Sequence, residues 1–134
     1  MVVFTNGCFD IIHRGHLDLL KFCRENGDTV IVGLNSDNSV KRIKGKSRPI
    51  NSQEDRKYFL ESIKFVDKVI VFDENTPYNL IMKIKPDIIV KGGDYKIEDV
   101  VGSDICEVRI FDYVEGYSTT KKIQDIALRW IMSR

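Results

Sequence analysis

The chain has two histidines, His13 and His16, and they stand three residues apart in Asn6-Gly7-Cys8-Phe9-Asp10-Ile11-Ile12-His13-Arg14-Gly15-His16-Leu17. An apolar, strand-like start, Val2-Val3-Phe4, precedes them, and a segment of helical periodicity follows. The pair therefore falls at the first turn of a helix, where unpaired backbone N–H groups and the helix dipole favour an anion. Imidazole N–H groups suit phosphate, and Gly15 between them lets it approach the backbone closely. This composition predicts phosphate chemistry without a covalent intermediate. A zinc site needs a third and usually a fourth ligand. No third histidine exists and Cys8, Cys23 and Cys106 lack ligand spacing, so no metal site is expected. GxxxxGK[ST] and GxGxxG are both absent, so neither a P-loop nor a dinucleotide fingerprint explains the glycines.

Three further groups carry chemistry. Lys41, Arg42, Lys44, Lys46 and Arg48 put five cations in eight residues around Gly45. They form either a solvated basic loop or a lid that brings Lys44 or Lys46 to a triphosphate. No aromatic residue interleaves them, which argues against a nucleic-acid patch. Glu115-Gly116-Tyr117-Ser118-Thr119-Thr120 opens a last helix. Ser118 alone would be an ordinary cap, whereas three successive hydroxyls add donors for another phosphate. Lys91-Gly92-Gly93-Asp94-Tyr95 is either a tight turn or a nucleoside clamp. Arg56 forms local salt bridges or receives a phosphate.

Alternating strand and helix signals must position these groups. Residues 1–5, Thr29–Leu34, Lys68–Phe72, Asp87–Lys91 and Cys106–Phe111 read as strands. Helices are expected after His13, ending near Gly27 as C-cap, over 36–43, after Asn51 or Ser52 with Tyr58, Phe59 and Ile63, from Thr76-Pro77 with Leu80, Ile81 and Ile84, and after Ser118. The last carries Ile123, Ile126, Ala127, Trp130 and Ile131 on one stripe. The order predicts a doubly wound, mostly parallel five-stranded α/β sheet with helices on both faces in one domain, 1–134. Ligands then bind at the carboxyl ends of the strands, where Asn6 to His16, Asn35 to Asp37, Lys91 to Tyr95 and Glu115 to Thr120 converge. A net charge of +1, from 21 basic and 20 acidic residues, gives no overall field for nucleic acid or membrane. No apolar run reaches transmembrane length and no signal peptide is evident. With an odd number of cysteines, reduced thiols and a cytoplasmic location are expected.

The HxGH motif at His13 to His16, the Ser118-Thr119-Thr120 helix start and the strand order resemble the HxGH nucleotidyltransferase superfamily, which has a Rossmann-like fold. Thr5-Asn6-Gly7-Cys8-Phe9-Asp10, Ser39 to Gly45, Arg48-Pro49-Ile50-Asn51 and Val90 to Tyr95 are most similar to the bacterial D-glycero-β-D-manno-heptose 1-phosphate adenylyltransferase domains. In many bacteria that domain follows a sugar kinase; this chain reads as a stand-alone transferase. The resemblance implies transfer of AMP from ATP to a sugar 1-phosphate. His13, His16 and Lys44 would be catalytic. Asn6, Gly7, Cys8, Phe9, Gly15, Lys46, Lys91, Gly92, Asp94, Tyr95, Tyr117, Ser118, Thr119 and Thr120 would bind the nucleotide. Asp10, Asp37 and Arg56 would bind the acceptor. Mg²⁺ would be held mainly by phosphate oxygens, and a homodimer is implied. Glycerol-3-phosphate cytidylyltransferases carry an Arg-Thr-Glu-Gly-Ile-Ser-Thr-Thr segment. Here Tyr113 and Val114 replace its first two residues, which favours ATP over CTP. Cytidylyl transfer to a small phosphate is the alternative, and a non-catalytic nucleotide-binding module is the second.

Overall fold

The computed structural model describes residues 1–93, 95–112 and 118–133. Five strands, β1 (Val2–Gly7), β2 (Thr29–Asn35), β3 (Lys68–Phe72), β4 (Ile88–Gly92) and β5 (Glu107–Phe111), form one sheet in the order β3-β2-β1-β4-β5. All four pairings are parallel, with Gly7 opposite Leu34, Asn35 opposite Phe72 and Gly92 opposite Phe111. The helices are α1 (Arg14–Glu25), α2 (Asp37–Lys44), α3 (Gln53–Glu61), α4 (Tyr78–Ile84) and α5 (Thr119–Met132), with a short 3₁₀ turn at Ile97–Asp99.

The apolar strand runs make sense because both faces are covered. Val3, Val30, Val32, Ile88 and Val90 meet Leu19, Leu20, Cys23 and Leu60 of α1 and α3 on one face. The alternate residues Phe4, Ile31, Ile89 and Val108 meet Ile81 of α4 and Val100 on the other. This is a Rossmann-like α/β fold. Strand order reverses between β1 and β4, so the crevice beyond their carboxyl ends is the expected ligand position. Among the described residues no helix is long and apolar enough to cross a membrane.

Several local expectations change. Asn26, not Gly27, caps α1. Gly27 is needed for another reason: a Cβ there would lie 2.6 Å from Val3 Cγ2 and 2.8 Å from the Met1 carbonyl oxygen. Pro77 precedes α4 as its N-cap instead of occupying the first helical position. The inner face of α3 is Arg56 and Leu60, four residues apart, while Tyr58 and Phe59 are exposed and Ile63 follows the helix end. The apolar stripe of α5 is not core: none of its residues is buried.

Candidate active site

β1 delivers the chain to the site. After Gly7 the backbone turns through Cys8 and Phe9, whose φ of 45° is unusual for a residue with a Cβ. Phe9 holds that conformation because its ring is buried, 4% exposed, and packs at 5.1 Å against the His16 ring.

The two histidines then start α1 as a capping box. His13 Nδ1 accepts the Gly15 N–H at 3.0 Å, and His16 Nδ1 accepts the His13 N–H at 3.2 Å. The three-residue spacing is thus the spacing of a helix cap. It also fixes the tautomer: with Nδ1 an acceptor on each ring, the proton of the neutral imidazole sits on Nε2. The rings stack with centroids 3.9 Å apart. Burial, and then the neighbouring His13, pushes His16 down to about 3. Burial, and then Lys122, lowers His13. Two neutral N–H donors result at neutral pH.

Both imidazoles line a cavity of about 470 Å³ at the carboxyl edge of the sheet, a volume suited to a small-molecule ligand. Asn6, Gly7, Cys8 and Phe9 line it from β1 and its loop, Lys44 from the end of α2, Lys91 from the end of β4 and Tyr95 from beyond it, and Ser118, Thr119 and Thr120 from the head of α5. Among the described residues no carboxylate lines it. Burial lowers Lys91, offset by Cys8 and reinforced by Lys44; its Nζ lies 5.1 Å from the Tyr95 ring centroid. Burial raises the Cys8 thiol against the pull of Lys44, so it is no thiolate nucleophile. Ser118 caps α5 by accepting the Lys121 N–H, and Thr119 donates to the Ile11 carbonyl at 3.4 Å.

Other expected site residues lie elsewhere. Gly15 is buried, its N–H committed to His13, and it does not line the cavity. Lys46 is exposed and Gly92 ends β4; neither is on the wall. Asp94, Tyr113 and Tyr117 fall outside the described residues. Asp10 and Arg56 require a correction, because their charges are spent inside the protein, whereas Asp37 pairs with Arg56 through Oδ1 and keeps 32% of its side chain exposed. The Arg56 side chain is 0% exposed and donates to the carbonyls of Asn51, Cys8 and Asn35 and to Asp37 Oδ1 at 2.8–3.0 Å. The Asp10 carboxylate, also 0% exposed, accepts from Arg48 Nε and from the N–H groups of Ile50 and Asn51. Both brace the loops beneath the cavity instead of facing an acceptor.

Leu19, Asn35, Ile43, Arg48 and Asn75 also line the cavity. Asn35 ends β2, in the segment expected at the ligand edge, and position just past β3 was a usable signal for Asn75. Arg48 belongs to the basic run of residues 41–48, whereas nothing local distinguishes Leu19 or Ile43. A second cavity of about 180 Å³ adjoins the first, sharing Asn6, Asn75, Lys91 and Tyr95 and adding Thr76, Asp99 and Val101.

Residues 4–125 match the family described as cytidylyltransferase-like. The chain belongs to that family. It is a nucleotidyltransferase, which accords with a cation-lined cavity headed by two neutral imidazole donors. It is 63% identical over 128 residues to the bifunctional protein HldE of Campylobacter concisus, and 60% identical over 124 residues to that of Nitratiruptor sp.. Each match covers 92% of this chain and 27% of the relative, so the chain spans about a quarter of the curated relatives' length. Among solved structures, a lipopolysaccharide core biosynthesis protein from Thermoplasma volcanium superposes with a TM-score of 0.71 at 32% identity, covering 88% of this chain and 98% of that one. A pantothenate synthetase from Thermus thermophilus, at 18% identity and TM-score 0.61, shares the fold.

Proposed function

We propose that this nucleotidyltransferase moves AMP from ATP to a sugar 1-phosphate, D-glycero-β-D-manno-heptose 1-phosphate, giving ADP-heptose and pyrophosphate for a lipopolysaccharide core or similar glycan. The observation that carries the phosphate chemistry is the stacked His13/His16 pair, each Nδ1 tied to backbone, at a cavity wall of cations and amides. The choice of ATP and heptose rests on the resemblance of the chain's motifs to the heptose 1-phosphate adenylyltransferases, supported by similarity to HldE proteins and to a lipopolysaccharide core biosynthesis protein.

In this mechanism an oxygen of the sugar phosphate attacks the α-phosphorus. A new P–O bond forms as the bond to the bridging oxygen of pyrophosphate breaks in line. Protein catalysis is then positioning and charge stabilisation. His13 and His16 donate Nε2–H to phosphate oxygens as charge shifts toward the leaving group. Their depressed basicity keeps them neutral donors across the physiological range. Lys44 and Lys91 attract the triphosphate, and the head of α5 adds its hydroxyls and dipole. Among the described residues no cluster of His, Cys, Asp or Glu could hold a metal ion. The larger cavity, with no carboxylate among the described residues, would suit Mg²⁺ carried mainly by the phosphates and water, where it would supply charge neutralisation. The two cavities share a wall, which suits two substrates whose reacting atoms must approach within about 3–3.5 Å. The polar lining of the smaller one, with Asn75, Thr76 and Asp99, suits the hydroxyls of a sugar.

The test is pyrophosphate release with Mg²⁺ across ATP, CTP, GTP and UTP, each against heptose 1-phosphate, glycerol 3-phosphate and other sugar phosphates. Turnover confined to ATP with heptose 1-phosphate is expected. Turnover only with CTP would overturn the nucleotide choice and keep the site.

A further inference from the structure

The Asp10–Arg48 pair has a property that a loop staple does not need. Asp10 sits at the far end of the phosphate-facing turn, and its buried carboxylate already accepts two backbone N–H groups, from Ile50 at 2.8 Å and Asn51 at 2.9 Å. Asn51 Nδ2 returns a bond to the Asp10 carbonyl at 2.8 Å, so the 50–51 segment is tied to the turn without any arginine. Arg48 is added to this by Nε alone, at 3.1 Å. Its side chain is only 12% exposed and lines the larger cavity. Among the described residues, no protein acceptor is bonded to Nη1 or Nη2.

That arrangement is costly without a ligand. A guanidinium presents five N–H donors, and those withdrawn from water without an acceptor are destabilising. The same wall holds Lys44 and Lys91 and no carboxylate among the described residues, so nothing on it neutralises the outer end of Arg48. Anchoring Nε fixes the plane of the fork and leaves its two terminal nitrogens side by side, the geometry that grips two oxygens of one phosphate.

We propose that Arg48 is a phosphate receptor on the cavity wall, and that Asp10 is the positioning residue that aims it. The ligand is a phosphoryl group of a substrate, either from the nucleotide or from the acceptor. The assignment rests on the nucleotidyltransferase site described above but not on which sugar the enzyme uses.

The experiment compares the 134-residue chain with Arg48→Met, Arg48→Lys, Asp10→Asn and the Asp10→Asn/Arg48→Met double variant. Calorimetry measures affinity for MgATP, inorganic pyrophosphate and heptose 1-phosphate, thermal melting reports folding, and kinetics separate KM from kcat. Arg48→Met is expected to weaken one class of phosphate ligand on the order of 10–100-fold, as the loss of a charged hydrogen-bonding pair requires. Weakened MgATP and pyrophosphate binding assigns the receptor to the nucleotide. Weakened sugar phosphate binding, with a raised KM for that substrate alone, assigns it to the acceptor. Arg48→Lys should recover part of the loss. Asp10→Asn should weaken the same ligand, and the double variant should be little worse than Arg48→Met, because both changes remove one interaction. Variants that melt earlier yet bind all three ligands as wild type does would reduce the pair to a loop staple and overturn the proposal. A wild-type chain that binds none of the three ligands overturns it as well. If the wild type transfers to no sugar phosphate while Arg48→Met still loses pyrophosphate binding, the choice of acceptor fails and the receptor stands.

Discussion

Helices α1 and α5 both begin at the cavity with polar residues and both carry an apolar stripe, yet only α1 is built into the core. Leu19, Leu20 and Cys23 of α1 are 0–3% exposed beneath β1 and β2. On α5, Ile126, Trp130 and Ile131 remain 59–67% exposed. The heads differ in the same sense. At α1 the cap itself is the chemical device, because the imidazoles that satisfy the helix amides also carry the outward N–H donors. At α5 the Ser118 hydroxyl caps the helix, and Thr119 ties the head to the Ile11 carbonyl. Donors that stabilise a transition state gain from being fixed before the reaction. The molecule invests its packing where that requirement is strictest.

The comparison breaks if the body of α1 proves no more important than that of α5. Leu20→Ala should cost about 2–5 kcal/mol of stability, measured by urea unfolding, because it leaves a cavity in a fully packed core. A loss under about 1 kcal/mol would show that α1 is not the rigid partner. His16→Ala should lower turnover on the order of 10²–10³-fold while the chain remains folded. Near wild-type pyrophosphate release from that variant would remove the histidines from the mechanism.

Acid sharpens the comparison, because only the α1 head carries imidazoles, whose ordinary value of 6.5 lies near neutrality and is depressed by folding. The folded state holds His16 near 3, far below its ordinary value of 6.5, so the unfolded chain binds the proton first as pH falls. Stability from this residue is complete above about pH 6.5 and is lost progressively as pH falls toward 3. At pH 5 the chain should be about 2 kcal/mol less stable than at pH 7 on account of His16. His16→Asn should shrink that difference in urea melts at the two pH values. The smallest effect belongs to α5: Ile131→Ala should change stability by less than about 0.5 kcal/mol. A loss of several kcal/mol would mean that the α5 stripe is packed in solution and the contrast is false.

Much of the architecture was legible because periodicity depends on burial that the chain itself encodes. The run Val30 to Leu34 has no polar side chain because both sheet faces are covered, and Ser52 and Ser118 announce helix starts through hydroxyls that bond local amides. The HxGH motif was legible for the same reason: its three-residue spacing is a local cap and needs no distant partner. Partnership across the chain was not. Arg56 looked like a phosphate receiver until the carbonyls of Cys8 and Asn35 were found on its guanidinium, 48 and 21 residues away. Asp10 looked like an acceptor ligand, and its partners come from residues 38 to 41 positions later. The α5 stripe shows the converse, since amphipathic spacing states that a face can be buried but does not provide the surface that buries it. Short-range backbone geometry was therefore determined by the sequence alone. Only the tertiary structure decided which charges are spent internally and which remain for a ligand, because that depends on which loops the parallel crossovers bring together.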